Sequence, residues 1–174
     1  MEYLFTLKYR LSAEDRDHEQ LVERLAECGC DDATIGIGQP GRIALAFRRD
    51  SNNAWSAIYS ALKNVKRAVP SARLVEAAPD FVGLTDVAEV TGMTRQNMRK
   101  LMLANAMDFP APVHEGNPSV WHLSDVLAWL NARGGYDIDA DLLDVARTAK
   151  QVNLVKEARE VEPRMTQELK RLVA

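Results

Sequence analysis

The sequence predicts an α+β protein built from three successive segments. Residues 1–80 alternate between strand-like and helix-like patterns, residues 81–135 carry short helical patterns separated by Gly and Pro, and residues 136–174 have helical patterns only. Apolar residues make up 47% of the chain and charged residues 27%, which are ordinary values for a globular protein. We therefore expect two small folded domains, at 1–80 and 81–135, followed by a helical tail.

The first segment opens with a strand and a helix. Apolar and polar residues alternate strictly from Tyr3 to Leu11, which is the pattern of a half-buried strand. Ser12, with Asp15 three residues later, predicts the N-terminus of a helix. Gly29 is a suitable residue to end that helix.

Three further strands and one helix are expected before residue 80. Strands at 33–37 and 42–48 flank a turn rich in Gly and Pro. Apolar residues recur every three or four positions across 53–68, which predicts a helix that Pro70 ends. A strand at 72–77 completes the order β-α-β-β-α-β of the ferredoxin-like fold, a four-stranded antiparallel sheet with both helices on one face. This fold hosts many functions, so it predicts none by itself.

The second segment opens with two short helices. Thr85 is a suitable N-cap for the first helix, Gly92 marks a tight turn, and Thr94 is a suitable N-cap for the second. This order predicts a helix-turn-helix, whose second helix enters the major groove of DNA. Met98 lies on the face of that helix that we expect to be buried. The side chains expected on the exposed face and its flanks are Arg95, Gln96, Asn97, Arg99 and Lys100.

The exposed face of this second helix has the chemistry of a DNA-reading surface. Arginine can bond guanine through two hydrogen bonds, glutamine or asparagine can do the same for adenine, and lysine suits phosphate. An ordinary solvated helix face has a similar composition. At this point the residues leave both interpretations open.

The stretch after these helices predicts a hairpin of the kind called a wing. Two extended pieces, 111–114 and 119–123, flank EGNP, and Ser124 then predicts the start of another helix. With LTDVAEVTGMTRQNMRK, then FPAPV, then Trp121 followed by SDVLAWL, residues 82–133 resemble the winged helix-turn-helix of the MerR superfamily, especially the small AlpA-like and excisionase-like regulators.

The resemblance implies a set of DNA contacts. In that family the second helix enters the major groove, and the wing touches the backbone or the minor groove. The matching positions are Thr94, Arg95, Gln96, Asn97, Arg99 and Lys100 on the helix, and His114, Asn117, Ser119 and His122 on or beside the wing. Wings of this family often carry Arg or Lys, whereas this one offers Glu115 and two His. We therefore expect weak phosphate contact from the wing.

A homodimer is expected, because one such module offers less surface than specific DNA binding needs and two-fold proteins bind paired half-sites. One candidate dimer surface is the N-terminal sheet. The other is a helix predicted at 140–162, whose 3-4 apolar stripe consists of Leu142, Val145, Ala149 and Val152, unless this helix packs on its own chain. A further helix is expected at 164–173.

The predicted function is that of a sequence-specific transcriptional regulator of bacterial origin that binds double-stranded DNA. A variant is an antitoxin-like autoregulator that also holds a toxin-like or other protein partner. The alternative is a protein-interaction or small-ligand-binding module that uses the N-terminal domain, with the helix-turn-helix as a scaffold. The net charge of −3 gives no bulk attraction to phosphate, so DNA binding requires a local patch.

No catalytic set, phosphate loop, cofactor motif or metal-ligand spacing is found in the sequence, so we expect no enzymatic activity. No apolar run approaches the roughly 18 residues of a membrane span. The first residues lack the features of a signal peptide. A cytoplasmic protein is therefore expected.

Overall fold

In the computed structural model, which describes residues 1–173, the first segment is a four-stranded antiparallel sheet with helices on one face. Its strand order is β2-β3-β1-β4, the order that two split βαβ units produce. The predicted succession of strands and helices is confirmed. The elements are β1 (Glu2–Arg10), α1 (His18–Leu25), a π-helical turn (Ala26–Cys30), β2 (Ala33–Gly36), β3 (Arg42–Asp50), α2 (Ala54–Ala68) and β4 (Arg73–Ala78).

The alternation along β1 decides which face of the sheet is buried. Tyr3, Phe5, Leu7 and Tyr9 point into the first core, and Phe5 stacks on Phe47 of β3 with 5.1 Å between ring centroids. Side chains on the opposite face of β1 are partly or fully exposed. Since successive side chains of a strand point to opposite faces, the pattern by itself fixes the buried side.

The first helix begins later than predicted. α1 starts at His18, because the carboxylate of Asp17 accepts the backbone N–H groups of two residues in its first turn at 3.1 and 3.2 Å. Ser12 instead donates to Asp15, which also accepts hydrogen bonds from Ser71 and Arg24. The hydrogen bond from Ser71, followed by that from Arg24, holds the pKa of Asp15 below its ordinary value. The apparent capping signal thus belongs to a long-range network.

The second segment forms its own core around a small two-stranded sheet. Val82 of one strand pairs with Trp121 of the other. Both side chains are buried, together with Val87, Met98 and Leu127. The elements are β5 (Phe81–Val82), α3 (Leu84–Val90), α4 (Arg95–Ala104), β6 (Trp121–His122) and α5 (Leu123–Arg133).

The predicted wing hairpin is shorter than expected. A single bridge joins His114 to Val120, with backbone hydrogen bonds of 2.9 and 3.2 Å. The hairpin stops there because the next two residues pair with β5 instead. The backbone N–H of Leu123 then donates to the carbonyl of Asp80, and α5 starts at Leu123, one residue before the predicted cap Ser124.

The last segment contains α6 (Ala140–Ala158) and α7 (Pro163–Leu169). α6 contributes to both cores: Val145 and Ala149 pack in the first, and Leu143 and Ala146 pack in the second. The 3-4 stripe of this helix is therefore used within the chain, so it is not available as a dimer seam. α6 ends four residues before the predicted position, and α7 buries none of its residues.

Asn153 attaches α6 to the edge of the first sheet. β4 is an edge strand, and an unpaired edge leaves backbone groups open. The side-chain amide of Asn153 accepts from the N–H of Ala77 and donates to its carbonyl, both at 2.8 Å. The same amide nitrogen donates to Asp80 at 2.7 Å, and Lys156 donates to the carbonyl of Val75 at 2.7 Å. One helix thus supplies partners for three backbone groups of the strand edge.

None of the helices in the described part of the chain combines the length and the apolarity needed to cross a bilayer.

We expect the substitution Asn153→Ala to destabilise the protein strongly. It leaves the two backbone groups of Ala77 and one oxygen of Asp80 without their partner in a buried place, which should lower the free energy of unfolding by about 2 kcal/mol or more. Urea unfolding measures this loss. Gln151→Ala, at an exposed position of the same helix, should change it by less than about 0.5 kcal/mol. Equal losses for both variants would show that the amide contributes nothing specific.

Candidate nucleic-acid interface

α3 and α4 are joined by a tight turn at Gly92. Its φ of 67° lies in the left-handed region, where glycine is favoured because it lacks a Cβ atom. The N–H of Met93 donates to the carbonyl of Ala88 at 2.8 Å and closes the turn. The buried side chains of Val87 and Met98 hold the two helices together in the second core.

The predicted cap of the second helix is confirmed, and that of the first is wrong. The hydroxyl of Thr94 accepts the N–H of Asn97 at 3.1 Å and caps α4. α3 begins after Gly83, whose N–H donates to the carboxylate of Asp86 at 2.7 Å. Thr85 therefore lies inside the first turn of α3, with an exposed side chain.

α4 separates its side chains as the helical pattern predicted. Met98 is fully buried, and Leu101 and Met102 are partly buried against the second core. The polar residues exposed on the rest of the helix are Arg95, Gln96, Asn97, Arg99 and Lys100, and its last turn also exposes Leu103 and Ala104. Because α4 is anchored along one face only, its polar face is open to a partner.

The cations of α4 are not neutralised by the chain. Within residues 1–173, Arg95, Arg99 and Lys100 form neither an ion pair nor a side-chain hydrogen bond. Arg133 is different, since it donates to Asn105 at 2.8 Å and lies over the ring of Trp129. Three of the four basic residues in 81–135 are therefore concentrated, unpaired, on one helix of an otherwise acidic segment.

A groove of about 410 Å³ separates α4 from the wing. Arg95 and Arg99 line one side of it, and Asn117 and Ser119 line the other. The N-terminal turn of α3 also contributes to this groove. The sequence analysis did not include Thr85 and Asp86 of α3 in the candidate site. These two residues come close to Arg95 and Arg99 only through the packing of α3 on α4, which no local sequence pattern predicts.

The wing itself carries little positive charge. His114 and Asn117 are exposed, as is Glu115 between them. Ser119 is half-buried, and its hydroxyl donates to the carbonyl of Gly116 at 3.0 Å, which stabilises the turn. The wing can therefore offer polar contacts next to α4 but no side chain that is permanently cationic.

His122, which the resemblance places on or beside the wing, is turned away from the surface. It is only 9% exposed, and its Nδ1 lies 2.7 Å from a carboxylate oxygen of Asp80, itself buried. The ring also packs beside Phe81. The reason is the pairing of β5 with β6, which turns this side chain inwards. The ring of His122 is thus part of the buried polar contacts of the fold.

Both tryptophans of the segment pack in the second core, Trp121 as a buried residue and Trp129 as a partly buried one. Trp121 is buried, and its indole N–H donates to the carbonyl of Pro110 at 3.0 Å. Phe109 meets the rings of Trp121 and Trp129 edge-on, with 6.2 and 5.1 Å between centroids. These contacts fix the Pro-rich stretch that leads into the wing.

Residues 80–134 match the sequence profile of the family described as prophage CP4-57 regulatory protein (AlpA). This segment is an AlpA-family domain. The match covers both helices of the helix-turn-helix, the wing and α5, and it leaves the remaining two thirds of the chain unassigned. No curated protein and no solved structure matches the chain. Hereafter residues 80–134 are the AlpA domain.

Among residues 1–173, no group of three or more His, Cys, Asp or Glu side chains is placed to hold a metal ion. The buried thiol of Cys30 lies outside the AlpA domain. Burial raises its pKa to about 11, so it stays protonated at neutral pH.

The two histidines of the AlpA domain should respond differently to the same substitution. His122→Ala removes a hydrogen bond to the buried carboxylate of Asp80 and should lower the free energy of unfolding by about 2 kcal/mol or more. His114→Ala removes an exposed ring and should change it by less than about 0.5 kcal/mol. Urea unfolding of the two variants compares them directly. A surface role for His122 would instead give two variants of equal stability.

Proposed function

We propose that the chain is a sequence-specific DNA-binding transcriptional regulator whose α4 enters the major groove. The observation that supports this most strongly is the set of unpaired cations on the exposed face of α4, within a domain of the AlpA family. In this proposal Arg95, Gln96 and Arg99 contact base edges. Lys100 contacts phosphate.

The flanking positions complete the proposed contact surface. Thr94 and Asn97 lie in the first turn of α4, where a helix that enters the groove by its N-terminus approaches the backbone. Asn117 and Ser119 line the groove beside α4, and His114 is exposed on the wing; in this proposal all three contact phosphate or sugar. His122 is omitted, because its ring is committed to Asp80.

The alternative expectation, a helix-turn-helix that serves only as a scaffold, explains the exposed face of α4 less well. A scaffold helix gains nothing from three cations that the chain leaves without carboxylate partners, since like charges on neighbouring positions repel. A surface that binds an anionic polymer requires them. Bulk charge still opposes binding, so we expect the interaction to depend on this local patch.

We also propose that the regulator acts as a homodimer, because one AlpA domain offers less area than specific binding needs. Of the two dimer surfaces considered, the stripe on α6 is buried within the chain. The open face of the sheet remains, with Leu4 and Ala46 exposed on it. If the regulator also holds a protein partner, as an antitoxin-like autoregulator does, that partner could bind the exposed apolar side chains of α7, such as Met165 and Leu169.

The contribution of α4 can be measured on DNA from the region upstream of the gene. Arg95→Ala and Arg99→Ala should each weaken specific binding by about 1–3 kcal/mol, because each removes contacts to a base edge. Lys100→Ala should weaken binding to all sequences alike and reduce the salt dependence by about one counterion. Fluorescence anisotropy at two salt concentrations gives both quantities.

Arg42→Ala is the matched control for these variants. Arg42 is exposed and has no ion pair within residues 1–173, but it lies on β3 of the N-terminal sheet. Its loss should leave DNA affinity unchanged. The proposal fails if wild-type binding is insensitive to salt and sequence, or if Arg42→Ala weakens binding as much as Arg95→Ala does.

A further inference from the structure

A cleft of about 790 Å³ opens in the N-terminal domain, between the C-terminal part of α2 and the C-terminal end of α6. Tyr9 and Leu74, from neighbouring strands of the sheet, form its floor together with Leu62 and Val69. The volume lies within the range of about 300–1,000 Å³ that is usual for small-molecule sites. The cleft is far from α4 in the chain and belongs to a different core.

The hydroxyl of Tyr9 has no partner in this cleft. The side chain is only 5% exposed, yet within residues 1–173 its hydroxyl makes no hydrogen bond. Among the side-chain polar atoms of residues 1–173 that are fully buried, only Nε of Arg24 lacks a partner, so the hydroxyl of Tyr9 is open to the cleft and free to bond a ligand there. Burial raises the pKa of this phenol well above its ordinary value, so the hydroxyl keeps its proton and can donate it.

The rim of the cleft carries more positive than negative charge. Four cationic residues and two acidic ones line it. Two of the cations are partly engaged: Lys66 donates to the carbonyl of Pro70, and Lys156 donates to the carbonyl of Val75 and pairs with Glu157. A carbonyl fixes an ammonium group without neutralising its charge. The charged lining residues are Lys66, Arg73, Lys156, Arg159, Glu157 and Glu160.

The two arginines of the rim are unengaged. Neither Arg73 nor Arg159 forms an ion pair or a side-chain hydrogen bond within the described 1–173 range. A guanidinium group offers several N–H donors in the planar arrangement that matches a carboxylate or a phosphate. The rim therefore offers guanidinium N–H donors and positive charge that no group of the chain engages, above a floor that includes apolar side chains.

We propose that this cleft binds a small organic anion, with a carboxylate or phosphate group at the cationic rim and an apolar body against Leu62, Val69 and Leu74. The hydroxyl of Tyr9 donates a hydrogen bond to the ligand. Small-molecule sites usually combine a few polar groups with apolar side chains, and this cleft offers both. This inference does not depend on the DNA-binding proposal.

The position of the cleft gives the ligand access to the helix that joins the two cores. α6 contributes Lys156 to the rim, Asn153 to the edge of β4, and Ala146 to the core of the AlpA domain. Lys150 of the same helix also holds Asp125 of α5 at 2.7 and 2.8 Å. A ligand that contacts the end of α6 therefore contacts an element packed directly on the DNA-binding segment.

Phenyl phosphate is a suitable probe, because it combines a phosphate with an apolar ring. Titrated into the ¹⁵N-labelled full chain, it should give saturable shifts of the backbone amide signals of Leu62, Leu74 and Lys156. Benzyl alcohol, which lacks the anion, should give none at the same concentrations. Arg159→Ala should weaken binding about tenfold, whereas Arg164→Ala, on α7 outside the cleft, should bind as the wild type does.

Tyr9→Phe is the decisive variant, because it removes only the hydroxyl. Since that hydroxyl has no partner in the chain, the urea midpoint should not fall, while the affinity for phenyl phosphate should fall about tenfold. The proposal is overturned if Tyr9→Phe binds the probe as tightly as the wild type. It is equally overturned if the shifts do not saturate, or if they are confined to signals of α4.

Discussion

The buried carboxylate of Asp80 is the interaction on which the arrangement of this chain depends. Asp80 is only 1% exposed, and an unpaired charge at such a place would cost several kcal/mol. Here one oxygen lies 2.7 Å from Nδ1 of His122, and the other accepts from Asn153 at 2.7 Å. Its backbone carbonyl accepts the N–H of Leu123. One residue between the two domains thus binds β6, the start of α5, and α6.

The contacts of Asp80 help to determine where the proposed DNA-binding surface is held. The pairing of β5 with β6 ends the wing hairpin and places the start of α5, whose buried residues share the second core with Met98 of α4. Asn153 links the same carboxylate to the edge of β4 in the first sheet. A few buried polar contacts therefore connect the AlpA domain to the first sheet, and removal of one member leaves the others unsatisfied in a buried place.

The sequence predicted what local periodicity encodes. Alternation around Phe5 located β1 and its buried face, and the spacing around Met98 identified the polar face of α4. It did not predict contacts between distant residues. Asn153 lies 76 positions from Ala77, and nothing in its surroundings distinguishes it from an exposed Asn on a helix. His122 followed the family pattern of a wing, but pairing with β5 decided its place.

The central claim, that α4 is the element that meets DNA, is tested most directly by photo-crosslinking of the full chain to a duplex from its own upstream region. A benzophenone side chain at position 96 of α4 should crosslink to DNA, because Gln96 is exposed in the middle of the proposed contact face. The same group at position 63, where Lys63 is exposed on α2, should not. Crosslinking from position 63 and none from position 96 would contradict the account and transfer the binding surface to the N-terminal domain.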